Sequence, residues 1–274
     1  MIIAKRCRGR TDKTDTSENL DKCFSLSYYS RMRFTVNLIS LLEKAAFSID
    51  PQNGLRAGPR VVSVLNGGKE RHLTTDDLGL RENYSFLNAI DQMTVMNTLA
   101  FEYLSRSHPD ISFIHEHPGI VRTGIIAKCL DVTAGSSSTI MSRILGTFIT
   151  IISRFIILPL FSLIAMSPEQ SGERRLFEIT NARYASRRTI EEWKKQMEEK
   201  GPSSQETSKG PITASNVIHL PPCSVPGSGV YRVISTSDAT VKGNAKLEQY
   251  RIQNMPEKIW DHTLETFKTA LQDS

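Results

Sequence analysis

The strongest constraint on this chain is an alternation. Two short apolar, β-branched runs, Arg60 to Leu65 and Ile111 to His115, are separated by a long segment with helical spacing. In the first run Val61, Val62, Val64 and Leu65 are nearly continuous. That suits a strand buried on both faces better than one alternating between core and solvent. Gly67-Gly68 closes this run and Pro118-Gly119 closes the second. Between them, from about Tyr84 to Arg106, Leu87, Ile90, Met93, Met96, Ala100, Tyr103 and Leu104 fall on one helical face, until His108-Pro109-Asp110 stops the pattern. An earlier helical pattern spans Leu26 to Phe47, with Phe34, Leu38, Leu41, Leu42 and Ala45 recurring at helical spacing before Asp50-Pro51-Gln52-Asn53-Gly54 breaks it. The order helix, strand, helix, strand implies an α/β fold: a parallel sheet with helices on both faces and right-handed crossovers.

Residues 1–25 are polar and charged and are expected to form a poorly ordered tail, with one folded domain over 26–274. The stretch 144–166 is the most apolar of the chain and long enough to span a bilayer. Arg154 near its middle, where a charge costs about 2.5–3.5 kcal/mol on insertion scales, and Pro159 in its second half argue against a span. An apolar lid over a site, or peripheral contact with a membrane surface, fits it better. Ser167-Pro168-Glu169-Gln170 is a helix start, residues 186–200 form a charged helix, and 201–228 read as a mobile loop. A short strand, Val230 to Ile234, and a last helix, Pro256 to about Leu271, complete the chain. Arg174-Arg175, Asp76-Asp77 and Glu191-Glu192 are expected on the solvated surface.

Hydrophobic residues make up 39% and charged residues 23%, enough apolar material for a buried core. The net charge of +5 owes much to Lys5, Arg6, Arg8 and Arg10. No aromatic residues interleave with these cations and no nucleic-acid-binding motif follows, so a nucleic-acid partner is not expected. Cys7, Cys23, Cys129 and Cys223 lack metal-ligand spacing, and no signal-peptide pattern opens the chain; a reducing, cytoplasmic location is the expectation, with 144–166 as the one route to a membrane. His115-Glu116-His117 places two His on one strand face but without a third ligand, so no metal is expected.

Three collinear pieces carry a resemblance: Arg60-Val61-Val62-Ser63-Val64-Leu65-Asn66-Gly67-Gly68; the helix from Asn83-Tyr84-Ser85-Phe86-Leu87-Asn88-Ala89 to Thr98-Leu99-Ala100-Phe101-Glu102; and His117-Pro118-Gly119-Ile120-Val121-Arg122-Thr123. Their order and spacing resemble the later half of short-chain dehydrogenases/reductases. They come closest to a divergent group of filamentous fungi found among genes for secondary metabolites. The resemblance implies a partial, Rossmann-like, doubly wound parallel sheet and hydride transfer with NAD(P)H. Pro118, Gly119 and Thr123 then correspond to the family's cofactor-binding strand end. The family's pyrophosphate seat is a Gly-rich turn opening a helix near the chain start. No strand followed by such a turn is found here, so the N-terminal nucleotide-binding half is expected to be missing.

The family's reaction uses a Tyr to move the proton at the substrate oxygen, a Lys four residues later that lowers the Tyr pKa and binds ribose, a Ser, and an Asn on an earlier helix. Counting back from Leu99-Ala100 places the Tyr and Lys positions at Ser85 and Ala89, or with a one-residue shift at Tyr84 and Asn88. The Ser position falls near Leu65 or Asn66 and the early Asn near Tyr28. Tyr84, Asn88 and Asn66 are therefore the candidate catalytic residues, although Asn88 carries no charge and cannot activate a phenol as Lys does. The resemblance implies an NAD(P)-dependent oxidoreductase of secondary metabolism acting on a bulky apolar ketone or alcohol. The alternative is a non-catalytic relative that dimerises or docks through helices 26–47 and 84–106.

Overall fold

The computed structural model describes residues 15–47, 58–122, 165–181, 183–200, 223–235 and 243–272, together with Ile152 and Phe155. Its centre is a parallel sheet of β1 (Arg60–Val64), β2 (Ser112–Glu116) and β3 (Val230–Val233), in that order. Arg60 is level with Ser112, and Phe113 with Val230. Helices cover both faces, so the expected α/β architecture, a partial Rossmann-like sheet, is present.

The first face is built on a nearly continuous helical run: α1 (Lys22–Phe24), a π turn (Ser25–Tyr29) and α2 (Ser30–Ala46). Asp21 starts it, its carboxylate accepting from the amides of Cys23 and Phe24. The order therefore begins before the expected boundary at residue 26, because Phe24 buries its ring and the cap holds it there. The wide turn lets both adjacent tyrosines point inward. Tyr28 donates to Thr263 Oγ1 at 2.7 Å, and the Tyr29 hydroxyl meets His262 Nε2 at 2.8 Å.

In α2 the recurring apolar residues behave differently from a core stripe. Leu42 packs inward, but Phe34, Leu38 and Leu41 are 67%, 46% and 59% exposed. The core side is formed instead by Met32, Thr35, Val36 and Ile39. Helix α3 (Phe86–Ser107) is central and buried nearly all round. It lies on the sheet, where Phe101 meets Phe113, and under α7 (Met255–Gln272), where Tyr103 stacks on Trp260 at 5.6 Å. A short α6 (Ala245–Ile252), absent from the sequence reading, leads into α7.

On the second face, α4 (Pro168–Thr180) starts with the expected capping box between Ser167 and Gln170, and α5 (Arg187–Lys200) follows. Phe177, Tyr184, Tyr231, Ile114 and Val233 form the smaller core there. Side chains thus alternate along each strand: on β2, Phe113 and His115 face α3, while Ile114 and Glu116 face α4. Of the expected mobile loop 201–228, residues 223–228 form an ordered turn leading into β3, and the rest lies outside the described residues. Most of 144–166 lies outside them too, and no described helix is long and apolar enough to cross a membrane.

Candidate functional site at the carboxyl ends of the strands

In parallel sheets of this kind, ligands are bound beyond the carboxyl ends of the strands. Here three loops meet at that end: Leu65 to Lys69 after β1, His117 to Gly119 after β2, and Ile234-Ser235 after β3. They are tied together by short bonds. Leu65 N donates to Glu116 O at 2.8 Å, and His117 N to Val233 O at 2.8 Å. Asn66 Oδ1 lies 3.1 Å from His117 Nδ1. Two glycines permit the approach. A Cβ on Gly67 would collide with the backbone of His115, and one on Gly119, at φ +69°, with the side chain of Ser235.

This crevice unites three of the predicted residues, Asn66, Pro118 and Gly119; Thr123 lies outside the described residues. Tyr84 and Asn88 stand apart, at the amino end of α3. Ser85 is the N-cap and accepts from Asn88 N, while the Asn88 amide donates to Asn83 O at 3.1 Å. Tyr84 sits by Asp21, and burial together with that carboxylate raises its phenol pKa. A proton-transferring Tyr needs the opposite shift, which a neighbouring cation provides.

The structure adds a buried network that sequence reasoning missed. Glu70 and Arg232, each 1% exposed at the side chain, form an ion pair at 3.1 Å. Glu70 Oε1 also accepts from Gly68 N and from Thr98 Oγ1. Because the Thr98 hydroxyl proton goes to Glu70, its oxygen accepts from His115 Nδ1 at 2.7 Å. Nε2 of His115 then accepts from Asn66 N at 3.4 Å. This is a neutral imidazole with its proton on Nδ1. Burial, which drops the His115 pKa to about 4, agrees with it. The network runs from a sealed ion pair to the crevice and fixes the loop that carries Asn66. In sequence, Glu70 and Arg232 look like ordinary surface charges, and only the apolar flanks of His115 hint at burial.

Arg31 on α2 reaches the same region, its Nη1 donating to Ser63 Oγ at 2.9 Å and Val64 O at 2.8 Å. Ser63 passes the bond to Asn97 Oδ1. The expectation that Arg174 and Arg175 are surface residues is corrected. Arg174 donates to Ser235 O, and Arg175 pairs with Glu116 and Glu178, two carboxylates with fully buried side chains. Asp77, expected to be idle, closes a turn by accepting from the amides of Arg81, Glu82 and Asn83.

Among the described residues no group of three ligands could hold a metal. For a dinucleotide the fit is partial. Asn66, His117 and the Pro118-Gly119 turn offer polar groups and close backbone approach. The small size of Gly67, however, is used against β2 rather than left as a cradle, and the segment after it is a connector, not a helix. The described residues therefore do not supply a pyrophosphate seat.

No family model matches the chain, and no solved structure matches it. Curated proteins do. An oxidoreductase of Aspergillus flavus, named Oxidoreductase lepF, is 36% identical over 259 residues, which is 93% of this chain and 64% of that protein. An oxidoreductase of Emericella nidulans is 34% identical over 252 residues, 92% of this chain and 62% of its own length. A short-chain dehydrogenase/reductase of Stachybotrys chartarum is 27% identical over 262 residues, 93% of this chain and 60% of its own. The chain thus spans roughly three fifths of the length of these relatives. With its parallel sheet and strand-end crevice, it is similar to proteins named as fungal oxidoreductases, one of them a short-chain dehydrogenase/reductase.

Proposed function

We propose that this chain forms the substrate side of an NAD(P)-dependent oxidoreductase of secondary metabolism, acting on a bulky apolar ketone or alcohol. The observation that carries this reading is the convergence of Asn66, His117 and Gly119 beyond the carboxyl ends of the strands, in a chain aligned with named oxidoreductases over 93% of its length. A bound nucleotide would supply or accept the hydride. Asn66 would hold a substrate oxygen, fixed in place by His115 through its backbone and by His117 through its amide. The apolar stretch 144–166 suits a greasy substrate: its flanking residues return to this end of the sheet, where Arg122 N bonds Met166 O and Met166 N bonds Ile120 O. Self-association would fall on α2, which keeps Phe34, Leu38 and Leu41 outward.

The test is oxidation of NADPH and NADH, followed at 340 nm, with a panel of bulky ketones, alongside nucleotide titration by intrinsic fluorescence. Turnover that falls at least about tenfold in Asn66→Ala supports the reading. Absence of both binding and turnover rejects it, and saturable binding without turnover points to a non-catalytic relative, in line with the capping role of Asn88.

A further inference from the structure

A second site lies at the opposite end of the sheet. A cavity of about 200 Å³ opens between the carboxyl end of α3, the face of α5 and the turn Val225 to Ser228 that precedes β3. The turn is rigidly seated: Ser228 N bonds Val225 O, and Gly229, at φ +68°, has no Cβ because one would strike the backbone of Arg187. Three cations line the space, Arg106, Arg187 and Lys194. Two carboxylates line it as well, but both are engaged. Glu102 is buried, and its two oxygens are held by Arg251 Nε at 2.9 Å and Nη2 at 2.6 Å, with Ser224 Oγ as a further donor. Glu191 accepts from Arg187 Nε at 3.0 Å.

Of the three cations, Arg106 is paired with Glu257 and Arg187 with Glu191. No carboxylate among the described residues forms an ion pair with Lys194. Its Nζ lies against Gly227, 3.4 Å from where a Cβ would stand. The Ser228 hydroxyl oxygen accepts from Val230 N, which leaves its proton free to donate. A wall whose carboxylates are taken, and which keeps one ammonium without a carboxylate and one spare hydroxyl proton, prefers an anion. The volume equals roughly six or seven waters at about 30 Å³ each, room for a phosphate group with a few waters or for a small phosphate ester.

The geometry points to a binding site for a phosphate or phosphate monoester in this cavity, held by Lys194, Arg187 and Ser228. The site is independent of the strand-end crevice and of the proposed oxidoreductase function. The experiment is titration of the full chain with inorganic phosphate at constant ionic strength, read by calorimetry and by the backbone amide shifts of Gly227 and Ser228. Saturable binding is expected, weakened about tenfold in Lys194→Gln and retained in Lys194→Arg. Glu191→Gln, which frees Arg187, should tighten it. Lys194 and Glu191 are both exposed, so these variants should fold, which thermal melting checks. Titration with ribose 5-phosphate asks whether the group is taken free or as an ester; tighter binding of either supports the site. No saturable binding, equal affinity in Lys194→Gln, or equal affinity for acetate would overturn it.

Discussion

The two outer strands of the sheet have opposite fates. Every residue of β3 is buried, whereas four of the five residues of β1 are only half-buried. Both began as similar short apolar runs. What separates them is what the chain lays alongside. β3 is closed by its own approach: Ser224 N bonds Val230 O at 2.6 Å, and Tyr231 buries its hydroxyl against Ala185 O while Tyr184 packs edge-on to its ring. For β1, the ladder to β2 uses Pro59 O and Leu65 N, so Arg60 and Val62 turn their backbone groups the other way. No described strand pairs with them. A strand is an edge or a centre because of its neighbours, not because of its own composition.

The sharpest way to break this contrast is to attack the charge sealed behind β3. Arg232→Leu leaves Glu70 buried without its partner and should cost about 3–5 kcal/mol, read by urea denaturation. A loss below about 1 kcal/mol would show that water reaches this side. Matched truncations come next. Val233→Ala, at a fully buried position, should destabilise by about 2 kcal/mol, and Val62→Ala by about half that. Equal losses would mean that β1 is covered as well as β3. A pH effect of order 1 kcal/mol should follow from Glu178, whose pKa burial raises to about 7, against the opposing pull of Arg175 and Arg174. Its folded form binds more protons than the unfolded carboxyl. Its contribution is therefore complete below about pH 4.5 and is lost as pH rises toward 7. Comparing the pH dependence of melting in the wild type and Glu178→Gln isolates it; an unchanged slope in the variant would assign the effect elsewhere.

The elements were legible in the sequence because their signals are local. Periodicity marked α3, β-branched runs marked the strands, and Ser167 with Gln170 marked the start of α4. The partnerships were not legible, because they join residues far apart. Glu70 and Arg232 are separated by 162 positions, and Glu102 and Arg251 by 149. Each looks like a solvated charge until the fold brings it to its partner. Phe34, Leu38 and Leu41 show the converse: their spacing identifies a helix, but it does not say which way the helix faces. At the candidate site, Asn66 and Pro118-Gly119 come from the family resemblance, and the fold gathers them in one crevice. Tyr84 and Asn88 are carried over from the family's Tyr and Lys positions, and their capping environment is a matter of three dimensions.

The smallest effect tests β1 itself, because the strand is not wholly without support. Its first residue, Arg60, reaches the carboxyl end of α4, donating from Nη2 to Asn181 O at 2.8 Å, from Nε to Tyr184 O at 3.3 Å and from Nη1 to Ile179 O. A cation at a helix carboxyl end satisfies orphan carbonyls and complements the helix dipole, a gain of about 0.3–1 kcal/mol at a partly exposed position. Arg60→Met keeps the packed stem and removes the three bonds. Global stability should fall by no more than about 1 kcal/mol, while hydrogen exchange at the last turn of α4 accelerates. If exchange quickened in β3 as well, the two strands would be coupled through α4, and the half-buried edge would be holding up the buried one.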